Sequence, residues 1–212
     1  MLRFALLALL VLAPAPPMAE VRVVDGDTLE LDGTIFRLNG IDAPEHGQTC
    51  GTWACGKAAT NALAEIVEGR SVHCSPIAED GYGRMIATCY ADGRDIGAEM
   101  VDKGLAWAFV KYTDVYLPEE LVSKDKALGV FAGEFETPWE FRASRWNQAR
   151  THEQQAPEGC PIKGNISKSG RIYHAPWSPW YARTRINTRK GERWFCSEAE
   201  AVAAGWRAPF WN

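Results

Sequence analysis

The stretch from Val24 to Glu45 constrains this chain more than any other. It reads V-D-G-D-T-L-E-L, then D-G-T, then I-F-R-L-N-G-I-D-A-P-E. Short runs that alternate apolar and polar residues are the pattern of β-strands. They are broken by Asp25-Gly26 and Asp32-Gly33, residue types that tolerate the positive φ of tight hairpin turns. Three strands in meander are therefore expected, over Glu20–Val24, Thr28–Leu31 and Ile35–Leu38. Pro44 cannot extend a ladder and takes the chain off the sheet. The charged residues Asp25, Asp27, Arg37, Asp42 and Glu45 gather where these strands end.

Further along, Gly56–Glu68 has the small and apolar spacing of a helix, with Ala58, Ala59, Ala62, Leu63, Ile66 and Val67 on one stripe and Gly69 as its stop. Ser71–Cys74 and Met85–Ala91 read as the fourth and fifth strands. Between them A-E-D-G-Y-G-R sets two glycines around Tyr82 and delivers Arg84 to the start of strand five. Ile96–Lys103 reads as a short helix closed by Gly104. Pro118 suits the first turn of another helix, running to about Leu128. Pro138 opens an aromatic and basic segment that ends near Arg150. Residues 151–159 have linker composition, and 160–212 form a distinct segment. In it Ser197 and Glu200 fit a capping box on an Ala-rich helix stopped by Gly205.

The N-terminus carries Arg3, the apolar run Phe4–Leu12 and a small, Pro-rich stretch to Ala19. This is the pattern of a secretory signal peptide cut after Ala19, and the run is too short to span a bilayer, which needs about 20 residues. Secreted or periplasmic residence gives the six cysteines a meaning as disulfides. Six allow 15 pairings and sequence alone does not choose. Spacing suggests Cys50–Cys55, Cys74–Cys89 and Cys160–Cys196. No C-x-x-C occurs, which argues against zinc. The formal net charge is −4, and it is unevenly spread. Residues 20–156 hold 13 Lys and Arg against 23 Asp and Glu, a net of −10, whereas 157–212 hold 9 against 4, a net of +5. A polyanion is repelled by the first segment as a whole and attracted by the second.

Acids beside an arginine are the means to hold a cation and an anion side by side, the layout of metal-assisted phosphodiester cleavage. Five strands with a helix after the third suggest an OB-type barrel. V-D-G-D-T, F-R-L-N-G-I-D-A-P-E and D-G-Y-G-R are moreover similar, in order and spacing, to the three active-site motifs of the staphylococcal nuclease family, and the resemblance covers Val21 to Phe141. It implies an α+β, mainly β fold: a five-stranded OB barrel with about three helices over residues 20–150, to which this chain adds a small disulfide-stapled module over 160–212.

The resemblance also implies a Ca²⁺ ion held by Asp27, Asp42 and the backbone carbonyl of Ala43, where many relatives have Thr. Carboxylates and carbonyls are hard oxygen donors, suited to Ca²⁺, Mg²⁺ or Mn²⁺ and poor for zinc, and the resemblance puts Ca²⁺ ahead of the other two. Arg37 and Arg84 match the family's two phosphate-binding arginines, whose forked guanidinium binds phosphate oxygens in pairs. Glu45 matches the carboxylate thought to act as general base on the attacking water. Asp25 and Thr28 are expected to support the ligands rather than to be ligands, and Tyr82 and Tyr112 to contact phosphate or stack on a base. The expectation is an exported, monomeric, Ca²⁺-dependent nuclease acting on single-stranded DNA and RNA and leaving 3′-phosphate ends, with no membrane insertion once the leader is cut. The acidic barrel departs from the basic archetype, and the basic, aromatic tail either offsets this by binding nucleic acid or is a structural appendage packed on the barrel. The competing reading is a nuclease-like scaffold of the cell envelope whose tail binds a polyanion or polysaccharide.

Overall fold

The computed structural model describes residues 20–152 and 156–210. The expected leader, residues 153–155 of the expected linker and the last two residues lie outside them.

Up to residue 152 the strands are β1 (Val21–Asp25), β2 (Thr28–Leu31), β3 (Thr34–Leu38), β4 (Ile41–Asp42), β5 (Val72–Glu79), β6 (Met85–Ala91), β7 (Arg94–Asp95) and β8 (Trp107–Ala108). The helices are α1 (Cys55–Val67), α2 (Ile96–Asp102), α3 (Leu117–Asp125) and α4 (Pro138–His152). The main sheet runs β1-β2-β3-β6-β5, with β7 paired to β6 and a separate β4–β8 pair. This is the OB-type fold. The β2–β3 and β6–β7 turns both use Asp-Gly in the left-handed region, with φ of +48° and +81° at Asp32-Gly33 and of +49° and +78° at Asp92-Gly93, as such tight turns demand.

The Asp25-Gly26 turn works differently from its expected form, since neither residue is among those with positive φ. Gly26 is required by packing, because a Cβ there would lie 2.9 Å from the Cβ atoms of Ala43 and Ala59. The β1–β2 register also slips between Val23 and Asp25, a bulge of the kind that re-aims side chains beside active sites. The parallel pairing of β3 with β6 sets Arg37 opposite Ile86, so strand five begins, with Arg84 just before it, alongside strand three.

Three other elements differ from their expected form. Strand β5 is longer than Ser71–Cys74 because Pro76 is tolerated on this edge strand, next to an irregularity between Pro76 and Ala78. α3 stops at Asp125, and a 3₁₀ turn at Gly129–Phe131 follows. The segment after Pro138 is a continuous helix that absorbs the first two residues of the expected linker, giving the barrel a fourth helix where about three were expected. Its sequence, PWEFRASRWNQARTH, is mostly polar and shows no broad apolar stripe, while Phe141 and Ala149 are buried.

The core packs Leu29, Phe36, Leu38 and Ile41 from the strands against Ala59, Leu63, Ile66 and Val67 of α1 and Ile96, Met100 and Val101 of α2. Fully burying one such side chain stabilises by about 1.5–3 kcal/mol. The sequence places its aliphatic residues on these faces, and the sheet ends remain free for charged ones.

Beyond residue 160 come β9 (Ile162–Ser167), β10 (Gly170–His174), β11 (Arg193–Phe195) and α5 (Glu198–Ala203), with sheet order β10-β9-β11. Ile162, Tyr173, Phe195, Ala201 and Trp206 form a second apolar cluster, and Trp146 of α4 packs on it. Polar groups fill much of the rest. Lys163 is 1% exposed, its Nζ donating to the Tyr181 carbonyl at 3.1 Å and lying over the Tyr181 ring. His174 sits between Asn165 Oδ1 and Ser178 Oγ at 3.2 and 3.3 Å. Ser197 Oγ accepts from the Glu200 amide at 3.1 Å as a cap. The Glu200 carboxylate accepts from the Cys196 amide at 2.8 Å rather than from Ser197, so the expected box closes one residue early. The three disulfides are Cys50–Cys55, Cys74–Cys89 and Cys160–Cys196, the pairs that spacing suggests. Three such bonds belong to an oxidising compartment. Among the described residues no helix is long and apolar enough to cross a membrane.

Candidate active site

The ends of β1, β3 and β4 bring Asp27, Arg37 and Glu45 to one cleft, with Asp42 buried and hydrogen-bonded to Arg37. Arg37, on β3, forks across two acids: Nη1 donates to Asp27 Oδ1 at 2.6 Å and Nη2 to Asp42 Oδ1 at 2.9 Å. Asp27 also accepts from Thr28 Oγ1 at 2.9 Å and, through Oδ2, from the Ala43 amide at 3.2 Å. Asp42 is fully buried. Burial alone raises the pKa of Asp27, but Arg37, the Ala43 amide, Arg84 and Thr28 outweigh it and hold the pKa below the usual carboxylate range. Burial lowers the Arg37 pKa, and Asp27 and Asp42 together more than reverse that.

Asp25 accepts from the Gly26 amide at 2.8 Å and from Thr60 Oγ1 at 3.3 Å. Burial first, then Glu45 and Asp27, push its pKa well up. It thus supports the site from α1's side and makes no hydrogen bond to Arg37. Glu45 is fixed through its backbone. Its amide donates to Gln48 Oε1 at 3.2 Å, its carbonyl accepts the Gln48 amide at 2.7 Å, and Gln48 Nε2 reaches the Glu136 carbonyl at 2.6 Å. Gly56, in the first turn of α1, allows that loop to close, since a Cβ there would lie 1.7 Å from the Glu45 carbonyl oxygen. The Cys50–Cys55 bridge staples the same loop.

Arg84 stands apart from the acids. Its Nε donates to Asp80 Oδ2 at 2.8 Å, and Asp80 Oδ1 accepts from the amides of Tyr82 and Arg84. Asp80 therefore folds the D-G-Y-G-R turn and presents Arg84 to the cleft. Tyr82 and Tyr112 line the same cleft at its edge, Tyr112 being 71% exposed. The Tyr82 ring lies 5.1 Å under the Arg84 guanidinium, and Tyr112 meets Phe109 edge-on.

Two contributions escape a reading of the sequence. Arg142, on α4, puts Nη1 on Glu45 Oε1 at 2.7 Å and on Asp42 Oδ1 at 3.1 Å, and Nη2 on Asp42 Oδ2 at 2.7 Å. Burial raises the pKa of Glu45 to about 7, partly offset by Arg142. The only sequence signal was an arginine in a basic helix about a hundred residues away. The second contribution is the C-terminal segment. Tyr173, Trp177, Glu198 and Trp206 join Asp27, Arg37, Glu45 and Arg84 around a single cleft of about 440 Å³. Trp177 lies 6.4 Å from Trp146 of α4, ring to ring, and Pro179 abuts Gly47.

Asp27, Asp42 and the Ala43 carbonyl are hard oxygen donors, of the kind that hold a weakly bound, partly hydrated divalent cation such as Ca²⁺. Among the described residues no set of three or more His, Cys, Asp or Glu forms a closed metal cage. Both of these acids are paired with arginines, Asp27 with Arg37 and Asp42 with Arg37 and Arg142.

Residues 35–128 match the family described as Staphylococcal nuclease homologue. The succinoglycan biosynthesis protein ExoI of Rhizobium meliloti is 32% identical over 146 residues, covering 64% of this chain and 75% of that protein. The chain belongs to the staphylococcal nuclease family. An uncharacterized endonuclease of Escherichia coli O157:H7 is 39% identical over 104 residues, 46% of this chain and 65% of its own length. The staphylococcal-like nuclease CAN1 of Arabidopsis thaliana is 34% identical over 113 residues, 52% of this chain and 33% of its own. Residues 144–208 match a second family, described as ArfC. This staphylococcal nuclease homologue thus joins a nuclease fold to a separately recognisable C-terminal part, and the cleft lies between them.

Proposed function

We propose that this protein is an exported, Ca²⁺-dependent phosphodiesterase that hydrolyses single-stranded DNA and RNA and leaves 3′-phosphate ends. The observation that carries the reading is one connected group, Arg37 bonded to Asp27 and Asp42 and Arg142 joining Asp42 to Glu45, with Arg84 lining the same cleft. Asp27, Asp42 and the Ala43 carbonyl are the residues that would hold the cation, which when bound supplies Lewis-acid polarisation of a phosphoryl oxygen. Arg37 and Arg84 bind the non-bridging phosphate oxygens, a contact that strengthens as charge builds on five-coordinate phosphorus. Glu45, with a pKa near neutrality, accepts the proton of the attacking water. Water then attacks in line with the departing 5′ oxygen. Tyr82 and Tyr112 offer faces on which an unpaired base stacks.

The test is cleavage of a single-stranded DNA and of an RNA of the same sequence by the full-length mature protein, in Ca²⁺ and in excess chelator. Cleavage in Ca²⁺ alone, with 3′-phosphate ends, is expected; no Ca²⁺-dependent cleavage sinks the reading. A second reading has one observation in its favour. The tail carries a net charge of +5, and a relative is named for succinoglycan biosynthesis, which suits a polyanion-binding envelope protein. That reading predicts unchanged binding to acidic polysaccharide in an Arg37→Lys variant.

A further inference from the structure

The acids that would hold a cation are already occupied by guanidinium. Every carboxylate oxygen of Asp42 carries an arginine N–H, Oδ1 from Arg37 and Arg142 and Oδ2 from Arg142. The Arg142 fork also spans to Glu45, so one guanidinium ties the proposed metal ligand to the proposed base. Arg142 side-chain exposure is 25%, and the residue lines the cleft, so the group is neither locked in the core nor free in solvent.

Charge decides what this arrangement is for. Among the groups joined by direct ion pairs, with Arg84 balanced by Asp80 and Asp25 outside the network, three carboxylates (Asp27, Asp42, Glu45) face two guanidiniums (Arg37, Arg142). Fully ionised, the group is short of one positive charge. A divalent cation leaves it one positive charge in excess, and one phosphodiester brings it to neutrality. Without Arg142 the same site is neutral with the cation alone and gains an uncompensated negative charge when phosphate arrives. In a buried site such imbalances are costly.

We propose that Arg142 is a third substrate-positioning arginine, parked on Asp42 and Glu45 until a divalent cation takes Asp42, whereupon its fork turns to the scissile phosphodiester while keeping hold of Glu45. The inference rests on the Ca²⁺ reading above. It makes cation and substrate bind interdependently, because the cation displaces a guanidinium that only phosphate can then satisfy. By linkage, each ligand tightens the other by the same factor.

The experiment is calorimetric titration of Ca²⁺ into the full-length protein, alone and with a saturating phosphorothioate thymidine tetranucleotide, for wild type, Arg142→Gln and Arg142→Lys, with thermal melts as the check on folding. Wild type should bind Ca²⁺ weakly alone and at least tenfold more tightly with the oligonucleotide. Arg142→Gln should bind Ca²⁺ alone at least threefold more tightly than wild type and lose most of the tightening by oligonucleotide. Arg142→Lys keeps the charge without the fork, so its affinity for Ca²⁺ alone should stay within about twofold of wild type. If Arg142→Gln, melting as wild type does, binds Ca²⁺ alone equally or more weakly, Arg142 is only a clamp for Asp42 and the proposal falls by itself. If the Gln variant unfolds, the Lys variant decides: loss of Ca²⁺ binding in it overturns the proposal. Absence of Ca²⁺ binding to all three proteins, with or without oligonucleotide, removes the Ca²⁺ reading and this inference with it.

Discussion

The barrel and the C-terminal segment solve the problem of burying charge in opposite ways. In the barrel, the interior is aliphatic, with Leu29, Leu63, Ile96, Met100 and Val101 out of contact with water, and Asp27, Arg37, Asp42 and Glu45 gather at the strand ends, while Glu120 is buried separately on the Ala108 amide and Lys124. In the C-terminal segment the apolar cluster has five residues, and Lys163, His174 and Glu192 are buried among them, each with hydrogen-bond partners. A large apolar core supplies enough stability to hold like charges together at a functional edge. A small one does not, and relies on satisfied polar groups and a covalent staple.

The largest expected effect separates the site from its scaffold. Arg37→Lys removes a forked contact to Asp27 and Asp42, and turnover on single-stranded DNA should fall by about 10²–10³, the scale of losing one preorganised donor, while the thermal melt of the barrel barely moves. Retained turnover contradicts the role given to Arg37.

Next come the staples. Loop-closure entropy assigns about 4 kcal/mol to a loop the size of Cys160–Cys196 and about 2 kcal/mol to one the size of Cys50–Cys55. Urea melts of the paired Cys→Ser variants should therefore show the C-terminal segment losing its own transition first. The Cys50–Cys55 pair should instead lower activity, through the loop that carries Glu45, with a modest loss of stability. Equal losses of stability from the two bridges would erase the distinction between the regions.

Acid sharpens the same contrast. Burial, with Arg183 and Lys163 adding to it, lowers the His174 pKa to about 4, against about 6.5 in an unfolded chain. The unfolded state thus takes up the proton first as pH falls. The stability contributed by neutral His174 is complete above about pH 6.5 and is lost progressively down to about pH 4. Near-UV circular dichroism of the full chain should show the C-terminal tryptophans loosening in that window, and a His174→Asn variant should flatten the dependence. The smallest effect is at the α5 cap, where Ser197→Ala should cost about 1 kcal/mol and leave turnover unchanged.

The two regions also differ in how legible they were. The meander, the Asp-Gly hairpins, α1 and its Gly69 stop carry local signals, and each lies within a residue or two of its expected place. Asp27, Arg37, Asp42 and Glu45 were legible because one short stretch holds them all. Arg84 was legible because the D-G-Y-G-R turn around it is distinctive. Gly26 was read for its dihedral freedom when its real constraint is the approach of Ala43 and Ala59, which only the packed structure reveals. Arg142 showed only as one arginine of a basic segment, because its meaning lies in acids 97 and 100 residues away. The placement of Trp177 and Trp206 on the cleft had no signal either, since it depends on how α4 turns Trp146 toward the C-terminal cluster.

The position of Arg142 late in the chain has a consequence in time. A polypeptide emerging N-terminus first presents Asp27, Arg37, Asp42 and Glu45 long before residue 142 appears. Until α4 arrives, three acids crowd around one guanidinium, and the barrel end that bears them is held against its own repulsion. The strands can pair and the apolar core can close at that stage, but the cleft cannot settle. The most reactive corner is therefore completed last, when the helix that balances the acids also docks the segment that walls the cleft.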